Sequence, residues 1–152
     1  MVEKLSRKRL RLKHYDYSQE GLYFVTICTI DRKPLLSSVV GDDAHIVPKR
    51  YGAIAKKYVD SIQGIDSYVI LPNHIHMIIR VDGGSMWAST PTKSISQRVK
   101  SFKILVTKEI GYSIFQRSFY DHIIRDEKDY LKHLKYIDEN PIKWKYDELY
   151  KE

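Results

Sequence analysis

The sequence predicts an α+β domain in which helices pack on one side of an antiparallel sheet. The first observation is the order of its periodic segments, which is strand, helix, two strands, helix, strand and helix. The second is that no internal repeat, low-complexity tract or long linker divides residues 1–152, so a single domain with one core is expected. This order is typical of a ferredoxin-like sandwich.

The first half of the chain predicts a strand and a helix with an irregular segment between them. Residues 22–30 are rich in β-branched and aromatic types, which favour a strand. Residues 31–47 contain a proline, a glycine and an aspartate pair, which indicate a hairpin or an irregular excursion. A helix begins near Pro48, because apolar residues recur from Tyr51 at i, i+3, i+4 and i+7. Gly64 is expected to close this helix.

Turn and cap residues delimit the elements of the second half. A Pro-Asn pair at 72–73 separates two β-prone runs, and Gly111 is expected to stop the helix that follows them. Asp126 is a good N-cap for the last helix, which must end by Asn140 because Pro141 disfavours helix at the residue before it. The predicted strands cover residues 67–71, 74–81 and 114–124, the predicted helices 94–110 and 126–140, and a predicted loop 87–92.

The basic residues form two blocks around a nearly neutral body. The net charge of +7 favours an anionic partner, nucleic acid above all. Residues 1–13 carry six basic groups and one acidic group, and residues 93–125 carry seven and two, so each block has a net charge of +5. The first block is either a solvated, mobile arm or a phosphate-contacting arm. The second contains the predicted DNA contacts, each of which could equally be a solvated surface residue: Arg98, Lys100, Lys103, Arg117 and Arg125.

The composition disfavours a disordered, membrane or disulfide-bonded protein. The chain is 43% hydrophobic and 30% charged, which is typical of globular domains. No apolar run approaches the ~20 residues that span a bilayer, and no signal peptide is evident. Cys28 is the only cysteine, which excludes a disulfide framework. We therefore expect a cytoplasmic protein with no membrane partner.

A His-x-His motif lies within a predicted strand. Alternate side chains of a strand share a face, so His74 and His76 point the same way, about 7 Å apart along the chain. Ile75 and Met77 then point to the opposite side, into the core. Two such imidazoles can chelate a metal if a third ligand comes from elsewhere. A pair of ordinary surface or hydrogen-bonded histidines is the alternative.

Tyr136 and Asn140 lie on the last predicted helix, away from its apolar stripe. Leu134 and Ile137 belong to that stripe, whereas Tyr136 lies about 200° from Leu134, and Asn140 follows one turn after Tyr136 on the same side. Such a tyrosine is either an ordinary surface residue or a residue held out for chemistry. The chain has 12 tyrosines, so the surface alternative applies to any one of them.

Taken together, the two motifs predict a tyrosine nucleophile beside a divalent cation. Three neutral ligands, His74, His76 and the amide oxygen of Asn140, would leave the full charge of the ion available to polarise a phosphate. Tyr136 would stand next to the ion, which favours its phenolate over a phenol with an ordinary pKa of about 10. A covalent phosphotyrosine keeps the energy of the phosphodiester, as a strand-transfer enzyme requires. The mixed nitrogen and oxygen ligands suit Mg²⁺ or Mn²⁺.

Three segments resemble the single-tyrosine HUH transposases, and most closely their REP-associated tyrosine transposase branch. These segments are residues 68–76, 115–127 and 136–141, and the resemblance extends from about residue 10 to residue 145. It implies the HUH endonuclease fold, with Tyr136 as the nucleophile on the C-terminal helix. It also implies that His74, His76 and Asn140 are the metal ligands.

The resemblance further implies a reaction and a substrate. The reaction is a metal-dependent nick in single-stranded DNA, which leaves a 5′-phosphotyrosine and a free 3′-OH. The substrate is a strand with an imperfect hairpin, recognised by its shape and by a short guide sequence. The chain departs from the insertion-sequence branch, in which glutamine typically stands four residues after the tyrosine, whereas here Asn140 precedes a proline. This difference favours the REP-associated branch, and both a monomer and a homodimer stay open.

Other assignments compete with this one. Tyr120 is the second candidate nucleophile, but Ile124 occupies the position four residues later and cannot bind a metal. His122 and His133 are interpreted as structural, hydrogen-bonded groups rather than ligands. A non-catalytic DNA-hairpin-binding protein is the alternative function, disfavoured because each catalytic position holds a competent residue. An RNA-binding module is disfavoured because the predicted strand face carries histidines instead of stacking aromatics.

Overall fold

The computed structural model describes residues 20–82 and 93–144. The basic residues at 1–13 and the predicted loop at 87–92 lie outside this part of the chain. None of the helices within it is long and apolar enough to span a bilayer. Its elements are β1 (Gly21–Cys28), a short 3₁₀ turn (Ile30–Arg32), β2 (Ser37–Val40), β3 (His45–Pro48), α1 (Arg50–Val59), β4 (Ile65–Ile70), β5 (His74–Val81), α2 (Ile95–Ile110), β6 (Tyr120–Ile124) and α3 (Glu127–Glu139).

Four strands form an antiparallel sheet in the order β4-β5-β1-β6. β1 and β5 occupy its centre and pair along their whole length, from Gly21 opposite Val81 to Cys28 opposite His74. β2 and β3 form a separate hairpin, which is one of the two alternatives expected for residues 31–47. The α+β class and the ferredoxin-like antiparallel sheet are therefore confirmed.

Alternation along the central strands divides their side chains between two apolar clusters. Tyr23 and Met77 belong to the cluster that contains the core residues of α1 and α2. Phe24 and Ile78 face the opposite way and pack with Ile137 of α3. The expectation that the helices pack on one side is thus corrected for α3, which covers the other face of the sheet because its apolar stripe meets the Phe24 side of β1.

The helix ends follow local capping chemistry. Ser94 and Gln97 form a capping box at the start of α2, and Gly111 ends this helix in the left-handed conformation with φ of 102°. At α3, the side chain of Asp126 accepts a hydrogen bond from the backbone N–H of Asp129 at 2.7 Å. Helix α3 ends at Glu139, as expected ahead of the proline.

Two predicted boundaries are wrong. Helix α1 ends at Val59, and Gly64 instead lies in the turn before β4 with φ of 84°. A Cβ atom at this position would lie 2.0 Å from the carbonyl oxygen of Arg80, so glycine is required by close approach of the backbone. Strand β6 begins only at Tyr120, because residues 114–119 form an irregular segment with an isolated bridge between Phe115 and Thr29, just after β1.

Candidate metal and tyrosine site

The two histidines of β5 point their Nε2 atoms at each other. Both lie on the sheet face that α3 covers; His74 is fully buried and His76 is 4% exposed. The Nε2 atoms are 3.1 Å apart. Two nitrogens at about 2.1 Å from a shared ion and 3.1 Å from each other subtend an angle of about 95° at that ion. The spacing therefore fits two neighbouring ligands of one cation.

Hydrogen bonds to the other ring nitrogens hold this orientation. Asn73 Oδ1 lies 2.7 Å from His74 Nδ1, and Asn73 Nδ2 donates to the carbonyl oxygen of Arg32 at 3.2 Å. Because the amide oxygen can only accept, His74 carries its proton on Nδ1 and keeps the Nε2 lone pair for a ligand. Thr26 Oγ1 lies 2.8 Å from His76 Nδ1 and fixes the orientation of that ring. The sequence alone did not identify Asn73 or Thr26 as part of the site.

Asn140 supplies a buried oxygen that has no hydrogen-bond partner among the described residues. Asn140 is the C-cap of α3 and is 3% exposed. The buried oxygen without a hydrogen-bond partner is its side-chain Oδ1 atom. An unsatisfied buried oxygen costs about 1–3 kcal/mol, which a cation bound there would offset. Two imidazole nitrogens and one amide oxygen thus form a donor set that fits a divalent cation.

Rings one turn before and one turn after Asn140 rest on the two histidines. The ring centroid of Tyr136 lies 5.1 Å from that of His76, and the centroid of Trp144 lies 5.8 Å from that of His74. These two contacts place the end of α3 over the histidine pair. Tyr136 remains 37% exposed, so its side chain is accessible from solvent.

Tyr120, the alternative nucleophile, lies farther from the histidines. It pairs with Thr26 across β1 and β6, so its side chain shares the face of His76. β6 and β5 are separated by β1, so the backbone of Tyr120 lies two strand spacings, about 10 Å, from the backbone of His76. The geometry therefore favours Tyr136 over Tyr120 as the residue beside a cation.

Burial keeps both imidazoles neutral at pH 7. It lowers the pKa of His74 to about 3, with a smaller contribution from the positive charge of Arg32. The pKa of His76 lies well below its usual value, first because of burial and then because of the neighbouring His74 and His133. A neutral imidazole is the form that binds a metal. Arg32 is exposed beside the site and was not singled out from the sequence.

Arg98 was predicted to contact phosphate, but it is a structural residue. It is 5% exposed. Its guanidinium donates to the carbonyl oxygens of Lys93 at 2.9 Å and Arg80 at 3.3 Å, and also to that of Gln63. This side chain therefore connects the start of α2 to the sheet through hydrogen bonds, and Arg98 is not part of the candidate DNA surface.

The other four predicted DNA contacts fall in two places. Lys100, Lys103 and Arg117 line an open groove of about 610 Å³ along α2, together with Lys108. Lys103 also donates to the carbonyl oxygens of Gln116, Arg117 and Ser118 at 2.7, 3.1 and 3.3 Å, so part of its role is to hold this loop. Arg125 lies apart from the groove, at the end of β6.

The α2 groove lies on the far side of the sheet from the histidines but reaches the same end of it. The backbone N–H of Gln116 donates to the carbonyl oxygen of Cys28 at 2.8 Å. Cys28 in turn pairs with His74 across β1 and β5. The loop that carries Arg117 is thus anchored where the candidate metal site begins.

Comparison with known proteins identifies the family. No protein-family model matches the chain. It is 36% identical to an uncharacterized protein of Haemophilus influenzae, over 95% of this chain and 93% of that protein. It is 30% identical to a second Haemophilus influenzae protein, assigned as a REP-associated tyrosine transposase, over 90% of this chain and 79% of that protein. The chain belongs to the REP-associated tyrosine transposases. The resemblance inferred from the three motifs is therefore confirmed.

A solved REP-associated tyrosine transposase has the same fold. It superposes with a TM-score of 0.64 and 25% identity, over 88% of this chain and 74% of that protein. In that structure the relative is bound to a REP hairpin. The antiparallel sheet and helices described above are therefore those of this family of transposases.

Proposed function

We propose that the protein is a metal-dependent transposase that cuts and rejoins hairpin-bearing single-stranded DNA through Tyr136. The observation that carries the proposal is the pair of imidazole Nε2 atoms, 3.1 Å apart, with the ring of Tyr136 packed against His76. The unsatisfied buried oxygen of Asn140, one helical turn after Tyr136, supports the proposal. The REP hairpin bound by the solved relative supports a DNA hairpin as the partner.

His74, His76 and Asn140 are the proposed ligands of Mg²⁺ or Mn²⁺. Bound there, such a cation would supply Lewis-acid polarisation of a non-bridging phosphate oxygen. Burial keeps the two imidazoles neutral, so each offers a lone pair at pH 7. Asn73 and Thr26 keep the rings in position, and their hydrogen bonds leave both Nε2 atoms directed at the shared position.

Tyr136 is the proposed nucleophile. Its phenolic oxygen attacks the phosphorus and forms the new O–P bond, while the bond from phosphorus to the 3′ oxygen breaks. The phenolic proton passes to water, which reaches the exposed side chain, and the 3′ oxygen takes up a proton as it leaves. The products are a 5′-phosphotyrosine and a free 3′-OH. Attack of a 3′-OH on the phosphotyrosine reverses these bond changes and rejoins DNA.

Basic residues at the same end of the sheet are proposed to hold the DNA. Arg117, Lys100 and Lys103 of the α2 groove would contact the phosphates of the hairpin. Arg32, which is close enough to act electrostatically on His74, would face the phosphates next to the cut. Arg125 follows Ile124, which pairs with Leu22 at the opposite end of the sheet, and would contact a part of the DNA farther from the cut. Such contacts make binding weaker as the salt concentration rises.

Formation of a covalent adduct with a labelled hairpin oligonucleotide tests this function. With Mg²⁺ or Mn²⁺ we expect an adduct that survives denaturing electrophoresis, and we expect EDTA to abolish it. Tyr136→Phe should form no adduct and still bind the hairpin, whereas Tyr120→Phe is the matched control and should retain the adduct. Hairpin binding without any adduct by the wild-type protein would instead support the non-catalytic hairpin-binding protein.

A further inference from the structure

A second group of potential metal ligands lies between β6 and α3. His122 Nε2 is 2.9 Å from Asp129 Oδ2, and His133 Nδ1 is 3.2 Å from Asp129 Oδ1. The candidate ligand atoms of the three residues all lie within 4.8 Å of one another. His122 belongs to β6, and the other two residues belong to the first turns of α3, so the cluster bridges two elements.

The three side chains have the chemistry and accessibility of a metal site. Two imidazoles and one carboxylate are ligands typical of Zn²⁺ and other borderline divalent ions. The side chain of His122 is 52% exposed, while Asp129 and His133 are mostly covered. An ion can therefore enter from solvent, and water can complete its coordination.

We propose that His122, Asp129 and His133 form a second divalent-metal site, distinct from the His74–His76 pair and selective for Zn²⁺-like ions over Mg²⁺. Two ligand atoms at about 2.1 Å from one ion lie at most about 4.2 Å apart. The ligand atoms of this cluster lie within 4.8 Å of one another, so the longest separation needs to shorten by less than about 1 Å. Each neutral imidazole offers its unprotonated nitrogen to the ion, so its hydrogen shifts from the nitrogen that now contacts Asp129 to the other ring nitrogen. With two imidazole ligands, the site follows the general order of affinities and binds Zn²⁺ more tightly than Mg²⁺.

Such an ion would fix the helix that carries the nucleophile. His133 lies three residues before Tyr136, and its ring centroid is 4.7 Å from that of Phe24. The ring of Phe24 also stacks on His76, with centroids 5.2 Å apart. The proposed ion therefore lies one aromatic ring away from the candidate catalytic metal site, and it would tie α3 to β6 without contacting the DNA phosphate.

Binding of Zn²⁺ and Co²⁺ to the full chain tests the second site. We expect equilibrium dialysis to give one equivalent more for the wild type than for His122→Gln, and the visible absorption of bound Co²⁺ to fall in parallel. His122 is largely exposed, so the substitution should leave the fold intact, which far-UV circular dichroism would check. Asp129→Asn is a second variant, for which we expect the same loss of one equivalent.

His45→Gln is the matched control, because His45 is exposed on β3, away from the cluster. It should bind as much metal as the wild type. Equal binding by the wild type and His122→Gln would overturn the proposal. In the variant His74→Ala/His76→Ala, one equivalent should remain if it folds. This result separates the second site from the proposed catalytic one. If the His74–His76 site bound no metal at all, the wild type would still bind one equivalent more than His122→Gln.

Discussion

We predict that His74→Gln makes the protein less sensitive to mild acid in metal-free buffer. The pKa of His74 is about 3 in the folded protein and about 6.5 in an unfolded chain. Below about pH 6.5 the unfolded state therefore binds a proton that the folded state does not, and the free energy of unfolding decreases until about pH 3. From pH 7 to pH 5 this one group accounts for a loss of about 2 kcal/mol. Glutamine at position 74 removes that contribution.

Urea denaturation at pH 7 and pH 5, with EDTA present, measures this effect. The difference in unfolding free energy between the two pH values should be about 2 kcal/mol smaller for His74→Gln than for the wild type. His45→Gln is the control, since His45 is exposed on β3, and it should behave as the wild type does. The reasoning is refuted if His74→Gln loses as much stability between pH 7 and pH 5 as the wild type does.

Three further predictions concern the site and its support. Asn140→Leu should stabilise the metal-free protein by about 1 kcal/mol, because it removes an unsatisfied buried oxygen, and should abolish adduct formation; lower stability in urea would contradict this. Ile137→Ala should lower the free energy of unfolding by about 2–4 kcal/mol in the same urea assay, because Ile137 is buried against the sheet. Leu131→Ala, at an exposed position of α3, should lower it by less than about 0.5 kcal/mol. Equal losses for the two variants would refute the placement of α3. Arg98→Met should lower the melting temperature, because it leaves backbone carbonyls unsatisfied. Lys100→Met should leave the melting temperature unchanged, but it should reduce the slope of log K for hairpin binding against log salt concentration by about one unit. The opposite pattern would show that the structural and DNA-binding roles are reversed.

Elements with strong local signals were predictable from the sequence. β5 spans His74–Val81, as its run of β-prone residues after the Pro-Asn turn predicts, and α2 begins after Ser94 and ends at Gly111. Both results depend on contacts within a few residues of each other, namely side-chain periodicity and capping hydrogen bonds. The shared face of His74 and His76 follows from the alternation of side chains along a strand, so the candidate ligand pair was visible before any tertiary structure.

Features that depend on distant pairing were not predictable. The apolar stripe of α3 indicates that the helix has a buried side, but it does not indicate which face of the sheet it covers. Thr26 orients His76 because β1 and β5 pair in one particular register, which brings together residues 50 positions apart. Arg98 looks like any other basic residue in sequence, and only the fold shows that its guanidinium serves backbone carbonyls.

Locating the DNA on the protein tests the central claim most directly. The adduct formed with a hairpin oligonucleotide can be digested with nuclease and trypsin and examined by tandem mass spectrometry. Cleavage after Lys135 and Lys143 releases peptide 136–143, in which Tyr136 is the only tyrosine. We predict a nucleotide on Tyr136 through a phosphate ester. A nucleotide on peptide 118–125, in which Tyr120 is the only tyrosine, would contradict the assignment of Tyr136 as the nucleophile.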